Sequence, residues 1–133
     1  MLPTNPLIIA VDFDGTIVED AYPKIGKEMI FAFHTLKKLQ SQGHRLILWT
    51  YRSGRKLDEA VDFCKENGLE FYAVNKNFPE EVFDEKYSRK IHADLFIDDR
   101  NVGGFLGWTA IYKIIFNHEP PVKKKKGFFS FFK

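Results

Sequence analysis

One cysteine, Cys64, stands in 133 residues, so no internal disulfide can form. Histidine is nearly as scarce: the four, at positions 34, 44, 92 and 118, show no metal-ligand spacing and are expected to be packed or solvated. No run of about 18 apolar residues is present to span a bilayer. The opening stretch MLPTNPLIIAVDFD has no basic segment, and its short apolar run meets acids where a secretory cleavage site would need small residues. A cytoplasmic protein is the expectation. Nor is there a large charge of one sign, the formal net charge being +2. Residues 120–133, PPVKKKKGFFSFFK, hold five lysines and no acid, which leaves the remainder mildly acidic and makes nucleic acid an unexpected partner.

What is present suits one domain with a packed core: 44% of residues are hydrophobic and 29% charged. The domain is expected over residues 1–119, with 120–133 as a disordered basic, Phe-rich tail. Residues 7–11 form a continuous apolar run rich in β-branched side chains, the mark of a strand covered on both faces. Met29, Phe33, Leu36 and Leu39 then recur at helical spacing before Gly43. Residues 45–49 (RLILW) read as a second buried strand. Leu57, Ala60, Val61 and Cys64 mark the inner stripe of a second helix stopped at Gly68. Residues 70–74 (EFYAV) and 93–97 (ADLFI) are expected as further strands, and 108–116 as a final helix with Ile111, Ile114 and Ile115 inward. Trp49, Trp108 and Cys64 are expected in the core. The alternation predicts an α/β fold, a mainly parallel sheet with helices on both faces.

In such sheets ligands bind beyond the carboxyl ends of the strands, where strand order reverses. The first strand ends in Asp12, the second in Thr50 and the last in Asp98 and Asp99, with Lys90 just ahead of it; Lys86 is a rival for the lysine's role. Residues two apart in extended chain point the same way, so Asp12 and Asp14 share a side while Phe13 turns to the core. Gly15 permits the sharp turn that follows, and Thr16 can bond within it. Two carboxylates so close repel unless a cation or proton intervenes. A hard divalent ion taking oxygen from Asp12, a main-chain carbonyl and Asp98 would relieve them, Mg²⁺ keeping water and substrate phosphate as its other ligands. Lys90 would add the remaining positive charge, and the set is suited to a phosphoryl group.

DFDGT at 12–16, LWT ending at Thr50, Lys90 in its SRK stretch, and IDD at 97–99 resemble, in order, the four motifs of the haloacid dehalogenase superfamily. The resemblance spans residues 7–116. It implies a Rossmann-like three-layer sandwich and a Mg²⁺-dependent phosphoric monoester phosphatase. Asp12 would be the nucleophile that forms an aspartyl-phosphate, and Asp14 the general acid and then base. Thr50 would hydrogen-bond a phosphoryl oxygen, and Lys90 would neutralise charge on Asp12 and the phosphate. Asp98 would bind the metal with Asp12 and the main-chain carbonyl of Asp14, and Asp99 would join directly or through water.

Gly15, Thr50, Tyr51, Arg52 and Lys90 are the expected substrate-binding residues. Tyr51 and Arg52 lie on the loop bordering the phosphate, where they either read the leaving group or form a stack or salt bridge. Asn75 is similarly placed. The intervals from Asp14 to the first helix and from the third strand to Lys90 are too short for the cap domain many members carry. A capless site is open to extended phosphate esters or is walled by another subunit, so a homo-oligomer is one expectation. Two other readings stay open: a receiver-like, phospho-binding signalling module, and a partner-binding domain without catalysis. The tail composition also allows weak contact with an anionic membrane surface.

Overall fold

The computed structural model describes residues 5–82 and 91–121. Lys86, Lys90 and the KKKKGFFSFFK stretch lie outside the described residues. In chain order the elements are β1 (Ile8–Val11), α1 (Ala32–Ser41), β2 (Arg45–Leu48), α2 (Gly54–Glu66), β3 (Ala73–Val74), β4 (Leu95–Ile97) and α3 (Trp108–Phe116). The strands form a parallel sheet of order β3-β2-β1-β4, so the chain belongs to the α/β class. Among the described residues no helix is long and apolar enough to cross a membrane.

The register decides which side chains face the helices. Ile9 pairs with Leu46 and Leu95, and Val11 with Leu48 and Ile97, which puts this set on one face of the sheet. The same set is buried with Phe33, Leu36 and Leu39 of α1, Ala60 and Cys64 of α2, and Trp108 and Ile111 of α3. Successive crossovers from β1 to β2 and from β2 to β3 step the same way along the sheet, and crossovers of one hand stay on one side. Among the described residues, therefore, the helices supply core side chains to one face only, where both faces were expected to carry helices. The opposite face buries Ala10, Ile47, Ala73 and Ile91, with Tyr72 and Ala93 packed against them.

The structure departs from the sequence reading in element boundaries and in one inward position. α1 begins at Ala32 and not near Met29, because Met29 N–H donates to the Ile17 carbonyl (2.8 Å) and Glu19 N–H to the Lys27 carbonyl (2.7 Å). Residues 17–19 and 27–29 are thereby tied into a hairpin-like flap over the end of β1. β3 is two residues long, since it has β2 alone to pair with, although Tyr72 and Asn75 N–H still donate to Leu46 and Leu48. Ile114, expected inward, is 57% exposed. Helix α3 turns Trp108, Ile111 and Tyr112 to the core instead, and the Tyr112 hydroxyl accepts a hydrogen bond from Lys38 Nζ on α1 (2.8 Å).

The packed roles expected of the unassigned residues hold at two positions. His44 is buried, its Nδ1 accepting the Leu7 N–H (3.0 Å). Cys64 is buried against the sheet, and burial pushes its thiol up to about 12.

Candidate active site

The sheet order reverses at β1: successive strands run outward to β3, and the chain then returns past β1 to place β4 on its other side. The carboxyl ends of these two neighbours carry the acids. Asp12 N–H donates to the Ile97 carbonyl (3.0 Å), so the ladder continues one residue past β1 and holds Asp12 beside Asp98 and Asp99. Each of the three offers a carboxylate oxygen, and these oxygens lie within 4.8 Å of one another. Thr16 is fully buried, with its hydroxyl donating to Asp12 Oδ2 (3.3 Å).

Asp12 is 8% exposed. Burial first, then the hydrogen bond with Asp99 and the charge of Asp98, push its carboxyl from 3.8 up to about 8. A pocket that makes an acid this reluctant to ionise, with two further carboxylates alongside, has the donor set and the charge deficit that a hard divalent cation satisfies. A hard divalent cation therefore fits the residues present, with carboxylate oxygens available from Asp12, Asp98 and Asp99.

Gly15 makes the crowding feasible. Its φ is +82°, and a Cβ there would overlap Asp99 Oδ2 and sit 2.8 Å from Asp99 Cγ. The turn it opens is closed by Gly15 N–H donating to the Val18 carbonyl (2.8 Å), while Phe13 is driven fully into the core against Phe63. Trp108 on α3 braces the same turn, its Nε1 donating to the Thr16 carbonyl (2.7 Å).

A cavity of about 540 Å³ opens over these strand ends, lined by Asp12, Asp14, Thr50, Tyr51, Asp98 and Asp99. Six of the expected site residues thus come together. Asp20, Trp49 and Arg100 line it as well, and sequence reasoning missed all three in this role. Arg100 directly follows the paired acids, a visible cue; Trp49 looked like core because it continues an apolar strand. Thr50 is held by its loop, its N–H donating to Asn75 Oδ1 (2.8 Å), and its Oγ1 accepts the Arg52 N–H (3.2 Å). Asn75 has φ +55°, which turns the chain after β3 so that its side chain can reach across to β2.

Asp14 and Arg52 are placed less simply. Asp14 is not one of the three clustered carboxylates. Arg52 Nε donates to Asp14 Oδ2 (2.7 Å) and Arg52 Nη2 to Asp14 Oδ1 (2.8 Å), a two-pronged ion pair. Arg52 is 1% exposed, and its hydrogen bonds to Asp14 raise its pKa above the ordinary value. On the Thr50 loop Arg52 makes a salt bridge, while Tyr51 lines the cavity and lies against Tyr22, the ring centres 5.0 Å apart and the rings tilted by 50°. Lys90 lies outside the described residues, as does its rival Lys86.

No protein-family model matches the chain, and no curated protein matches it. One solved structure does: a conserved protein coded by locus from Bacteroides thetaiotaomicron is 58% identical, over 87% of this chain and 94% of that one, with a TM-score of 0.79.

Proposed function

This chain belongs to the same family as the conserved Bacteroides thetaiotaomicron protein, and we propose that it is a cytoplasmic, Mg²⁺-dependent phosphoric monoester phosphatase of the haloacid dehalogenase type. The observation that carries this reading is the meeting of Asp12, Asp98 and Asp99 at the ends of adjacent strands, on one cavity with Asp14 and Thr50. The parallel sheet and the position of the acids at its switch point also support the α/β fold expected of that superfamily, with the intervals after Asp14 and after β3 too short for a cap domain.

In this reading an Asp12 carboxylate oxygen attacks phosphorus, the bond from phosphorus to the ester oxygen breaks, and Asp14 gives the departing oxygen its proton. Asp14 then removes a proton from water, whose oxygen attacks the aspartyl-phosphate; the bond between Asp12 and phosphorus breaks and inorganic phosphate leaves. Asp12, Asp98 and the Asp14 main-chain carbonyl, with Asp99 directly or through water, would hold Mg²⁺, which would supply charge neutralisation for the phosphate and the carboxylates. Thr50 hydrogen-bonds a phosphoryl oxygen, and Lys90 takes the balancing positive charge that the motif order assigns to it. Because Arg52 is occupied by Asp14, recognition beyond the phosphate falls to Tyr51, Asp20 and Arg100 around the open cavity. Small phosphate esters and extended ones are both substrates such a site admits.

Phosphate release from p-nitrophenyl phosphate tests the proposal. Turnover should require Mg²⁺, stop with EDTA and be lost in Asp12→Asn; turnover by Asp12→Asn equal to that of the wild type refutes it.

A further inference from the structure

Arg52 is the most elaborately held cation among the described residues, and the reaction as written gives it no task. Its side chain is buried completely and satisfied at every nitrogen. Two N–H groups go to Asp14, as given above. The others go to main-chain carbonyls: Nη2 to Lys24 (2.9 Å), and Nη1 to Lys56 (3.2 Å) and Pro23 (3.4 Å). The guanidinium carbon lies 5.1 Å from the ring centres of both Phe13 and Tyr22. Three separate pieces of chain meet on it: the acid turn through Phe13 and Asp14, the flap through Tyr22, Pro23 and Lys24, and α2 through Lys56.

A buried ion pair contributes little net stability against a well-packed apolar replacement, so charge alone does not account for this arrangement. Geometry does. The planar fork of arginine fixes both the plane and the rotation of a carboxylate, which the single ammonium of lysine cannot do. Each Asp14 oxygen spends one lone pair on Arg52 and retains another, and Asp14 lines the cavity. Proton transfer is sensitive to this kind of placement, a misplacement of about 1 Å costing roughly 100-fold in rate.

We propose that Arg52 is the positioning residue for Asp14: by clamping the carboxylate and tying the flap to it, Arg52 sets the line along which the proton reaches the leaving oxygen. The inference rests on the phosphatase reading. It predicts a defect that depends on the leaving group. An alkyl alcohol cannot depart without that proton, whereas p-nitrophenolate leaves without it.

The test compares kcat/KM, which reports events up to leaving-group departure, for glycerol 2-phosphate and p-nitrophenyl phosphate. Arg52→Lys keeps the charge and loses the fork; it should lower kcat/KM about 30-fold or more for the alkyl ester and less than about 3-fold for the aryl ester. In an Asp14→Asn background the same change should have no further effect on the alkyl ester. Tyr22→Leu, at a ring 44% exposed, removes one face of the clamp without entering the core and should give the same preference in smaller measure, about 3- to 10-fold. Equal losses on both esters in the two Arg52 and Tyr22 variants overturn the positioning role alone. A wild type with no Asp12-dependent turnover of either ester overturns the phosphatase reading and this inference with it.

Discussion

Replacing Asp12 by asparagine should stabilise the metal-free protein, and the gain should grow with pH. In the folded state burial and the neighbouring Asp99 and Asp98 hold the Asp12 carboxyl near 8, against 3.8 for an unperturbed aspartate. The folded protein therefore retains a proton that the unfolded chain gives up near pH 4. The stability contributed by that proton is whole below about pH 4, falls by about 1.4 kcal/mol per pH unit as pH rises, and is lost once pH passes about 8. Across the full interval this comes to about 6 kcal/mol, a large part of the stability of a domain this size. Asparagine does not titrate, keeps the shape of the acid, and can donate an N–H towards Asp99 as the protonated carboxyl does. The stability gap between variant and wild type should be near zero at about pH 4 and approach about 5 kcal/mol at about pH 8. Urea unfolding in EDTA, followed by far-ultraviolet circular dichroism at several pH values, measures it. Added Mg²⁺ at about pH 8 should stabilise the wild type and leave the variant unchanged. A gap that does not change with pH, or a wild type more stable than the variant at about pH 8, refutes the argument from burial.

Gly15→Ala should cost about 1–2 kcal/mol from the left-handed backbone alone, and it should also displace Asp99, whose carboxylate occupies the space of the new methyl group. Mg²⁺ affinity by isothermal titration should fall at least about 10-fold; affinity equal to that of the wild type would separate Asp99 from the metal. The Cys64 thiol, raised to about 12 by burial, should react with an aromatic disulfide reagent at least about 100-fold more slowly in the folded protein than in urea. Comparable rates in the two states would show that α2 does not seal it.

The parts of the fold and site that were legible in the sequence are those set by neighbours along the chain. Val11, Phe13 and Gly15 enforce an apolar strand, an inward ring and a turn, so the direction of Asp12 followed from local spacing. A continuous apolar run such as 7–11 reports that both faces of β1 are covered but not by what, and among the described residues the helices share one face. Ile114 was misjudged because α3 turns the side bearing Trp108, Ile111 and Tyr112 to the core, Tyr112 accepting a hydrogen bond from Lys38 there, which leaves Ile114 on the side away from Tyr112. The start of α1 was misplaced for a similar reason, since Met29 is claimed by Ile17 across the flap. The pairing of Asp14 with Arg52 joins residues 38 positions apart. No period or propensity encodes such a pair; only the meeting of β1 and β2 in the sheet brings it about.

The chain has two tryptophans, and both lie at the same end of the molecule. Trp49 borders the cavity, and the Trp108 indole is bonded to the carbonyl of Thr16, in the turn that carries the acids. The ultraviolet emission of this protein is thus an intrinsic gauge of its acidic end. Without dye or label, its colour and intensity follow rearrangements of the turn separately from events at the distant ends of the helices.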